Sequence, residues 1–436
     1  MVSNSKPRED LTVVIPALNE AENLAVLLPD IHRILSRMNI CYSIVVVDEH
    51  ADDKTRQVVA QNHAVLLSPP TRGYANALRA GFDIAACDYL VTMDADYSHP
   101  PDFLRDLWES RDTSGVIIAS RYIAGGKAIM PRSRYILSKI LNLVFSRGLD
   151  LAVKDMSSGY RLYNFRTIKP DRLRSDDFDV LQELLVYALG EGYTIHEIPF
   201  CYQPRREGSS HARVLKFGLA YLRTFTRLWK YRNSILNADY DYRAYNASLP
   251  PQRYWQRQRF KHVVKLVAGQ GRCLDVGCGS SRIISALPEG SIGLDILIRK
   301  LRFSRRFGSK LVQGSGFDLP FGSETFPCVL SSQLIEHLPH GRILDELDRV
   351  LQPGGCLVLG TPDYDKWQWR LIERIYGIVL PQAYADEHIT HYTYKDLYNE
   401  FVGRRGYQLE ATRYILQGEL IMALRKPPRE AEREQG

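Results

Sequence analysis

The chain has no long apolar run and no cysteine framework. No stretch approaches the roughly 18 consecutive apolar residues that a helix needs to cross a bilayer, so any membrane contact must be peripheral. The seven cysteines are scattered, without a CxxC pair or the spacing of a zinc site, which argues against a disulfide scaffold and fits a reducing compartment. The start, MVSNSKPRED, contains no apolar core, so we expect no signal peptide.

Length and charge indicate two soluble domains and an anionic partner. At 436 residues the chain is too long for one ordinary domain, and 45% hydrophobic and 25% charged residues are typical of a globular protein. The formal net charge of +7 is concentrated between Cys201 and Arg232, where eight basic residues and a single acidic one, Glu207, occur. Such a patch predicts an anionic partner, although a solvated helix face would carry the same charges. No recognition motif for nucleic acid accompanies it, so we expect no nucleic-acid partner.

Strands and helices alternate through the first half, which predicts a parallel sheet. Four apolar runs are typical of buried strands. They span residues 11–15, 42–47, 65–67 and 90–93. Polar pairs follow three of them. The pairs are Asn19 and Glu20, Asp48 and Glu49, and Asp94 and Asp96. Because open α/β sheets bind ligands at the carboxyl ends of their strands, we expect a ligand site at this edge.

The segment LVTMDADYSHPP (90–101) carries the strongest single pattern. Asp94 and Asp96 directly follow an apolar run, and residues i and i+2 of an extended chain point to the same side. Two carboxylates that face one point form a hard oxygen site, which suits Mg²⁺ or Mn²⁺ carrying a phosphate. Turn formation and helix capping before two prolines would explain the same aspartates without a metal.

A set of segments resembles the family 2 glycosyltransferases of the GT-A fold. The segments are PALNEAENL, VVVDEHADDKT, RGYANALRAGF, MDADYSHPP and SRYIAGG, in the order of that family. Three later segments are similar to the dolichyl-phosphate mannose synthases and their bacterial polyprenyl-phosphate relatives. These are PRSRYILSKILN, KDMSSGYRLYNF and GYTIHEIPFCYQPRREGSS. The resemblance implies that a sugar passes, with inversion, from a nucleotide-sugar donor to a polyprenyl phosphate.

The resemblance also implies roles for individual residues. Contacts with the nucleotide-sugar would come from Pro16, Leu18, Glu20, Asp48, Glu49, Asp94 and Ala95. The metal ligands, for Mg²⁺ or Mn²⁺ acting as a Lewis acid on the leaving diphosphate, would be Asp94, Asp96 and Ser98. The catalytic residues would be Asp96, Arg121, Arg134 and Arg205, and the acceptor phosphate would contact Arg134 and Ser138. Arginine suits these positions because its planar fork binds phosphate in a bidentate way.

A phosphate acceptor agrees with the lack of an obvious general base. A hydroxyl acceptor normally gives up its proton to a base, whereas a phosphate monoester is already anionic at neutral pH and needs positive charge to position it. The alternative is a family 2 transferase that acts on a hydroxyl in glycan or cell-wall assembly. Asp177, Asp179 and Glu183 are the candidate bases for that alternative.

Residues 214–232 predict an amphipathic helix. Its apolar positions recur at helical spacing with Lys and Arg between them: Leu215, Leu219, Leu222, Phe225 and Trp229. Helices of this kind lie in the membrane interface, where a basic residue contributes ~1 kcal/mol at an anionic surface. The alternative is a helix that packs on its own domain. We expect a cytoplasmic protein that is peripheral at the cytoplasmic face of the membrane.

A second α/β pattern follows a polar, Tyr-rich linker at 233–254. The segment CLDVGCGSSR (273–282) predicts a strand, a glycine turn and the start of a helix. Asp295 ends the next strand 18 residues after Gly277. Glycines allow the backbone to approach a ligand closely, and an acidic residue at this spacing commonly binds a ribose diol.

These segments resemble the class I S-adenosylmethionine methyltransferases, with QGSGFDLPF, SSQLIEHL and ELDRVLQPGGCLVLGTP following in the order of that group. The resemblance implies a set of residues that bind S-adenosylmethionine. They are Asp275, Gly277, Gly279, Asp295, Ser315, Phe317 and Gln333. It places Glu336, His337 and His391 at the methyl-transfer pocket, where either histidine could act as a base. His388 and His391 are also spaced like two metal ligands, but no third is visible nearby, and we predict no zinc.

We therefore predict an α/β enzyme of two domains, a GT-A nucleotide-diphospho-sugar transferase fold followed by a Rossmann-like class I methyltransferase fold. The expected parts are a tail (1–10), the glycosyltransferase (11–232), a linker (233–254), the methyltransferase (255–426) and a disordered tail (427–436). The methyl group would go to the same sugar or a related glycan. Alternatively, one domain has lost catalysis and serves as a binding module, because three positions depart from the family patterns. These are Glu49 for a usual Asp, His211 for a usual Lys and Ser315 for a usual Asp.

Overall fold

The chain forms two compact α/β units, which confirms the predicted fold class. The computed structural model describes residues 9–204, 214–247, 250–339, 341–379 and 388–429. The first unit comprises the chain up to Leu189 together with Tyr193–Arg232, and the second comprises Gly190–Gly192 and the chain from Asn233 onward. Arg205, His211 and most of the two predicted tails lie outside the described residues.

The described part of the first unit alternates strands and helices. Its strands are β1 (Glu9–Ala17), β2 (Tyr42–Asp48), β3 (Val65–Leu67), β4 (Cys87–Thr92), β5 (Val116–Ser120), β6 (Lys127–Ala128), β7 (Arg161–Asn164), β8 (Ile195–Pro199) and β9 (Cys201–Tyr202). Its helices are α1 (Ala21–Leu35), α2 (Asp53–Gln61), α3 (Tyr74–Ile84), α4 (Leu104–Glu109), α5 (Arg132–Gly148), α6 (Val180–Gly190) and α7 (Val214–Arg232).

The main sheet of this unit has the strand order β3-β2-β1-β4-β7-β5-β8 and is parallel except for β7. Strand β1 is longer than the predicted run 11–15. It continues through Pro16 to Ala17 and pairs with β2 as far as Asp48. The pairing of β1 with β4 stops at Val14. Pro16 therefore lies where one side of β1 is no longer paired, and a residue without an N–H is tolerated there.

Both faces of this sheet are buried, which explains why its strands are continuous apolar runs. Val13 and Ile15 of β1 belong to one core with the apolar residues of α1. Val14, on the opposite face, belongs to the other core with residues of α3 and α6. The two cores fix the strands against helices on either side and leave the strand ends for a site.

Helix α7 packs on its own unit in its C-terminal half. Leu228 is fully buried, and Phe225 meets the ring of Phe145 of α5 edge-on, with 5.3 Å between ring centroids. Leu222 is 60% exposed and Trp229 is 39% exposed. The helix thus combines a packed side with exposed apolar residues. Among the helices that the structure describes, none has both the length and the hydrophobicity to cross a bilayer.

The second unit follows the same plan. Its described strands are β10 (Cys273–Val276), β11 (Ile292–Asp295), β12 (Lys310–Gln313), β13 (Phe326–Ser332), β14 (Leu351–Pro362), β15 (Gln408–Ile415) and β16 (Glu419–Arg425). Its described helices are α8 (Tyr240–Tyr245), α9 (Pro250–Val267), α10 (Ile298–Ser304), α11 (Arg342–Val350), α12 (Trp367–Val379) and α13 (Tyr394–Tyr398). The strand order is β12-β11-β10-β13-β14-β16-β15, with β16 antiparallel to both neighbours.

Much of the segment predicted as a linker is helical and belongs to this unit. It contains α8 and the start of α9. The carboxylate of Asp241 in α8 accepts hydrogen bonds from the backbone N–H and the hydroxyl of Ser280, both at 3.1 Å. It also pairs with the ammonium of Lys300 at 3.0 Å. Helix α8 is therefore fastened to the glycine turn that follows β10.

Helix α9 is held to β16 by a buried carboxylate. Glu419 is fully buried and accepts hydrogen bonds from Nε and Nη2 of Arg259, at 2.6 and 2.8 Å, and from the indole N–H of Trp255. A buried carboxylate is stable only when such donors compensate the loss of water.

Replacing Arg259 by alanine should loosen β16, because the variant leaves the buried carboxylate of Glu419 without its cation. Such a loss typically costs about 3–5 kcal/mol. Hydrogen exchange followed by mass spectrometry should show the amides of β16 exchanging at least ~100-fold faster, since 1.4 kcal/mol is a factor of ten. Arg257→Ala is the matched control, because Arg257 is exposed and only covers the ring of Tyr245. Equal exchange rates in the two variants would contradict this role of Arg259.

Candidate active sites

The carboxyl edge of the first sheet collects acidic residues from neighbouring strands. Asp48 is the last residue of β2, and Asp94 and Asp96 come directly after β4. Strands β2 and β4 lie on either side of β1, and all three are parallel. The ends of these strands therefore bring the three carboxylates to one edge. Pro16, Leu18 and Ala95 belong to the same strand ends.

The loop that carries Asp94 and Asp96 is held by two of its own residues. The Nδ1 atom of buried His99 accepts a hydrogen bond from the backbone N–H of Asp94 at 2.9 Å, and its Nε2 lies 3.7 Å from the Asp94 carboxylate. Ser98 donates to Asp96 through its backbone N–H at 3.1 Å and its hydroxyl at 2.5 Å. Burial lowers the pKa of His99 despite the neighbouring carboxylates, so the ring is neutral at pH 7.

This arrangement suits a divalent cation with oxygen ligands. Two carboxylates from one short loop provide hard oxygen donors, which Mg²⁺ and Mn²⁺ prefer. The hydroxyl of Ser98, a predicted metal ligand, supports Asp96 in this structure. His99 was not among the predicted site residues. The sequence could have indicated it, because His99 lies in the same segment, MDADYSHPP, five residues after Asp94.

Asp48 differs from Glu20 and Glu49, which were also predicted to contact the donor. It is buried, its Oδ1 accepts from the backbone N–H of His50 at 2.8 Å, and its Oδ2 has no hydrogen-bond partner among the described residues. Burial raises the pKa of Asp48. Glu49 accepts from the backbone N–H of Gly73 at 2.5 Å, and Glu20 accepts from the amide of Asn23 at 2.5 Å. Asp48 thus has an oxygen for a ligand N–H or O–H, whereas Glu49 binds the backbone at the start of α3 and Glu20 binds a side chain in the first turn of α1.

Arg121 forms a buried bidentate ion pair. Its Nε and Nη2 donate to the two oxygens of Asp155 at 2.8 and 2.7 Å, and its backbone N–H donates to the same carboxylate at 2.9 Å. Burial would raise the pKa of Asp155, but the charge of Arg121 and its hydrogen bonds outweigh burial and hold that pKa below its ordinary value. Asp155 was missed by sequence reasoning, although it lies in the segment KDMSSGYRLYNF. The pair fixes Arg121, so this arginine acts from a set position.

Helix α5 connects to the same region through hydroxyl groups. Ser138 and Ser157 lie within hydrogen-bond distance at 3.0 Å, and Nη2 of Arg121 also donates to Ser157 at 2.8 Å. Arg134, one turn earlier on α5, is exposed and has no hydrogen-bond or ion-pair partner among the residues described. Ser138 is therefore joined to the fixed arginine, and Arg134 is open to an anionic ligand.

The candidate bases of the first unit are mostly engaged in structural bonds. Glu183 is fully buried and accepts from the backbone N–H groups of Arg174 and Ser175 at 2.9–3.1 Å. Asp179 is buried and accepts from the hydroxyl of Thr224 at 2.6 Å. These two carboxylates hold α6 and α7 in place. Both are buried, whereas the third candidate, Asp177, is half-buried and accepts from the backbone N–H of Phe178 at 2.9 Å.

The glycine turn of the second unit lies at the carboxyl edge of its sheet. Gly277 and Gly279 have positive φ values of 77° and 54°, a conformation that favours glycine. A Cβ atom on Gly277 would come within 2.9 Å of the Leu334 side chain. Asp295 accepts from the backbone N–H groups of Gly279 at 2.9 Å and Leu297 at 2.8 Å. The next strand end is thus tied to the turn.

Asp275 and Gln333 present polar groups at the same edge. Asp275 is buried at the end region of β10, and burial together with the charge of Asp295 raises its pKa to about 7. Gln333 directly follows β13, has a φ of 59°, and its Nε2 is buried without a hydrogen-bond partner among the described residues. Ser315 accepts from the backbone N–H of Phe317 at 3.2 Å. The carboxyl of Asp275 could pair with a cationic group of a cofactor, and the amide of Gln333 could donate to a hydrogen-bond acceptor of the same cofactor.

Glu336 and His337 meet His388, and His391 adjoins the group through Tyr364, whose hydroxyl contacts His388. The rings of His337 and His388 are 4.9 Å apart between centroids. His391 is exposed and stacks on Tyr364 at 4.1 Å. Burial raises the pKa of Glu336 to about 8, and burial with the two neighbouring histidines lowers the pKa of His388 to about 4. The sequence predicted Glu336, His337 and His391 for this pocket and did not include His388.

The two halves of the chain match different families of known proteins. Residues 12–169 match the model of the family described as "Glycosyl transferase family 2", and residues 274–359 match the model "Methyltransferase domain". A dolichol-phosphate mannosyltransferase of Pyrococcus furiosus is 33% identical over 52% of this chain and 65% of its own length. A polyprenol monophosphomannose synthase of Mycolicibacterium smegmatis is 29% identical over 47% of this chain and 82% of its own length. The chain thus spans just under two thirds of the first of these relatives.

A solved structure is similar to the second half. It is described as an S-adenosylmethionine-dependent methyltransferase, possibly a histamine N-methyltransferase, from Thermotoga maritima. It is 20% identical, covers 40% of this chain and 93% of its own, and has a TM-score of 0.33. The first unit has a GT-A-like fold and the second a Rossmann-like methyltransferase fold, as the two family matches and the strand orders indicate. The chain therefore joins a family 2 glycosyltransferase domain to a methyltransferase domain.

Proposed function

We propose that the first domain transfers a hexose from a nucleotide-sugar to a polyprenyl phosphate, and that the second transfers a methyl group from S-adenosylmethionine to a glycan. The observation that carries the first part is the contrast between the buried, hydrogen-bonded carboxylates of Asp179 and Glu183 and the exposed guanidinium of Arg134. An exposed guanidinium can bind an acceptor that is already anionic, and such an acceptor does not need a free carboxylate as a base. The names of the two relatives support the same acceptor class.

Each part of the donor has a counterpart at the sheet edge. Asp48 would accept from the base or the ribose, with Pro16 and Leu18 beside them. A bound Mg²⁺ or Mn²⁺, held by Asp94 and Asp96, would supply Lewis-acid stabilisation of the leaving diphosphate. Arg121, fixed by Asp155, would contribute positive charge near the sugar phosphates.

The acceptor phosphate would be placed by positive charge. Arg134 and Ser138 of α5 would contact it, and Arg205, outside the described residues, would be a further contact. An acceptor oxygen held in line with the donor bond attacks the anomeric carbon and inverts its configuration. Proton removal is not required in this scheme, which agrees with the structural roles of Asp179 and Glu183.

Asp96→Ala should abolish glycosyl transfer, because the variant loses the buried carboxylate that would hold the metal. We expect a loss of at least ~1000-fold, in line with the several kcal/mol that a metal contributes to such a step. Purified protein, Mg²⁺, a short polyprenyl phosphate and labelled GDP-mannose or UDP-glucose are incubated, and label is counted in an organic extract. Asp102→Ala, an exposed aspartate of the following turn, is the control. Transfer to a phosphate-free glycan alone would favour the hydroxyl-acceptor alternative and contradict the proposal.

We also propose that α5 rests on the membrane that holds the lipid acceptor. Five apolar side chains of this helix are 48–56% exposed. They are Ile136, Leu137, Ile140, Leu143 and Val144. Arg132, Arg134, Lys139 and Arg147 lie on the same helix, and such a combination favours an anionic interface. Arg134 and Ser138 would then meet the acceptor phosphate at the level of the headgroups, on the cytoplasmic face.

The double variant Ile136→Glu with Ile140→Glu should weaken binding to vesicles of phosphatidylcholine and phosphatidylglycerol. Each buried apolar side chain contributes about 1.5–3 kcal/mol, so we expect at least a ~10-fold lower bound fraction in a sedimentation assay. Ile84→Glu, at the end of α3 and 47% exposed, is the control. If the double variant and the control bind the vesicles equally well, α5 is not the contact surface.

The groups at the sheet edge of the second domain would suit S-adenosylmethionine. Asp275 would lie at its positively charged methionine end, with Gly277 and Gly279 beneath it. Asp295 would take the ribose hydroxyls, and Ser315, Phe317 and Gln333 would contact the adenine side. The cofactor, when bound, supplies an activated methyl group. The methyl acceptor would lie at Glu336 and His337, with His391 nearby.

Binding of S-adenosylmethionine should release a proton from Asp275. Its pKa of about 7 without ligand means that the carboxyl is mostly protonated at pH 6, and a cationic ligand favours the ionised form. Calorimetry in two buffers of different ionisation enthalpy should show release of close to one proton at pH 6 and nearly none at pH 8. Affinity should rise with pH between these values. Asp275→Asn should remove the release, whereas Glu289→Gln, an exposed control, should keep it. Proton release that persists in Asp275→Asn would assign it to another group.

A further inference from the structure

We propose that Glu336, His337 and His388 bind a divalent cation of the zinc type in the second domain. One ligand atom from each of these side chains lies within 4.8 Å of the others. Zn²⁺ binds nitrogen and oxygen ligands at about 2.0–2.2 Å, so small side-chain rotations bring all three atoms onto one ion. The oxygen of the methyl acceptor would occupy the open position of this ion, a role that rests on the proposed function.

The backbone builds this cluster from two distant segments. Glu336 and His337 lie in one short turn, Ile335–His337. The carbonyl oxygen of Glu336 accepts hydrogen bonds from the backbone N–H groups of Ile389 and Thr390, at 2.9 and 3.0 Å. The hydroxyl of Thr390 also donates to the carbonyl of Leu338 at 2.6 Å. These bonds fix the segment that begins at His388 against the turn, so the two histidines meet through main-chain pairing.

The carboxylate of Glu336 has one satisfied and one unsatisfied oxygen. The side chain is fully buried, and its Oε2 accepts from the hydroxyl of Thr361 at 3.1 Å. Its Oε1 is buried and has no hydrogen-bond partner in the described part of the chain. A buried carboxylate oxygen without a donor is costly, and a cation removes that cost. This oxygen is an independent indication that a ligand belongs here.

His388 has the outer support that metal-binding histidines usually have. Its Nδ1 lies 2.6 Å from the hydroxyl oxygen of Tyr364, and that hydroxyl donates to Glu373 at 2.9 Å. Because the hydroxyl proton points to Glu373, the Nδ1–H of His388 is the donor to Tyr364. The lone pair of the ring is then on Nε2. Such a hydrogen bond from the second ring nitrogen orients the ring and makes it a better ligand.

The donor set selects the kind of ion. Two imidazoles and one carboxylate suit Zn²⁺ and similar transition metals, whereas Mg²⁺ prefers oxygen ligands alone. Three protein ligands leave a fourth position open, as in catalytic zinc sites. The sequence predicted no zinc because His388 and His391 lacked a third partner nearby. In the structure His388 instead lies beside Glu336 and His337, two adjacent residues that are about 50 positions away from it in the sequence.

Co²⁺ is a suitable probe because four-coordinate Co²⁺ absorbs visible light far more strongly than six-coordinate Co²⁺. The full chain carrying Asp94→Ala and Asp96→Ala, which removes the oxygen site of the first domain, is stripped with a chelator and titrated with Co²⁺. We expect one equivalent to give the intense four-coordinate spectrum and one equivalent of Zn²⁺ to remove it. In the same background, Glu336→Gln and His388→Gln should lower Co²⁺ affinity at least ~100-fold, and Tyr364→Phe by ~10-fold. His196→Gln is the control, because His196 is an exposed histidine of β8 outside the proposed sites, and this variant should bind Co²⁺ as the parent does.

A further variant guards against misfolding. His388→Cys keeps a ligand at this position and should add a thiolate-to-cobalt charge-transfer band in the near ultraviolet. Absence of the visible spectrum in the parent, or an unchanged spectrum in His388→Gln, would overturn the metal site. Calorimetric titration of the parent with S-adenosylmethionine separates the two proposals. If the cofactor binds but no Co²⁺ site is found, only the metal site is refuted. If Co²⁺ binds but the cofactor does not, only the proposed methyl transfer is refuted.

Discussion

The hydrogen-bonded ladder of parallel strands is the constraint on which both halves of this protein depend. Parallel pairing makes neighbouring strands end at one edge, so residues far apart in sequence arrive together there. In the first unit this places Asp48 beside the loop of Asp94 and Asp96. In the second it places Asp295 and Gln333 on either side of the glycine turn. The helices on both faces stabilise the paired strands, and the candidate site residues lie at the carboxyl edge of the sheet.

The buried carboxylates of this protein differ in whether a cationic side chain compensates them. Asp155 is compensated by the guanidinium of Arg121, and Glu419 by that of Arg259. Asp275 and Glu336 are also buried but form no ion pair with a cationic side chain among the described residues, and burial raises their pKa values to about 7 and 8. A fold tolerates uncompensated carboxylates of this kind where a ligand completes them, and perturbed groups of this sort therefore gather at functional sites.

The sequence was informative wherever the structure is local. The strands that end at or just before Asp48, Asp94 and Asp295 could be predicted, because an apolar run followed by acidic residues specifies a strand and its end within a few positions. The partners that complete the sites could not, because they depend on tertiary contacts. Asp155 reaches Arg121 across 34 residues, and His388 reaches the turn of Glu336 across 52. Helix α8 was predicted as linker because its polar, Tyr-rich sequence shows no periodicity, while its attachment depends on Ser280 and Lys300.

The two candidate metal sites differ in a way that allows both to be loaded in one cell. Asp94 and Asp96 offer oxygen atoms alone, which bind Mg²⁺ and Mn²⁺ as partners of a diphosphate but do not distinguish strongly among hard cations. His337 and His388 offer imidazole nitrogens, to which transition metals bind far better than Mg²⁺ does. Abundant Mg²⁺ would then occupy the first site without competing at the second. The two halves would then take up different ions without a further selection mechanism, because oxygen ligands in one and imidazole ligands in the other prefer different metals.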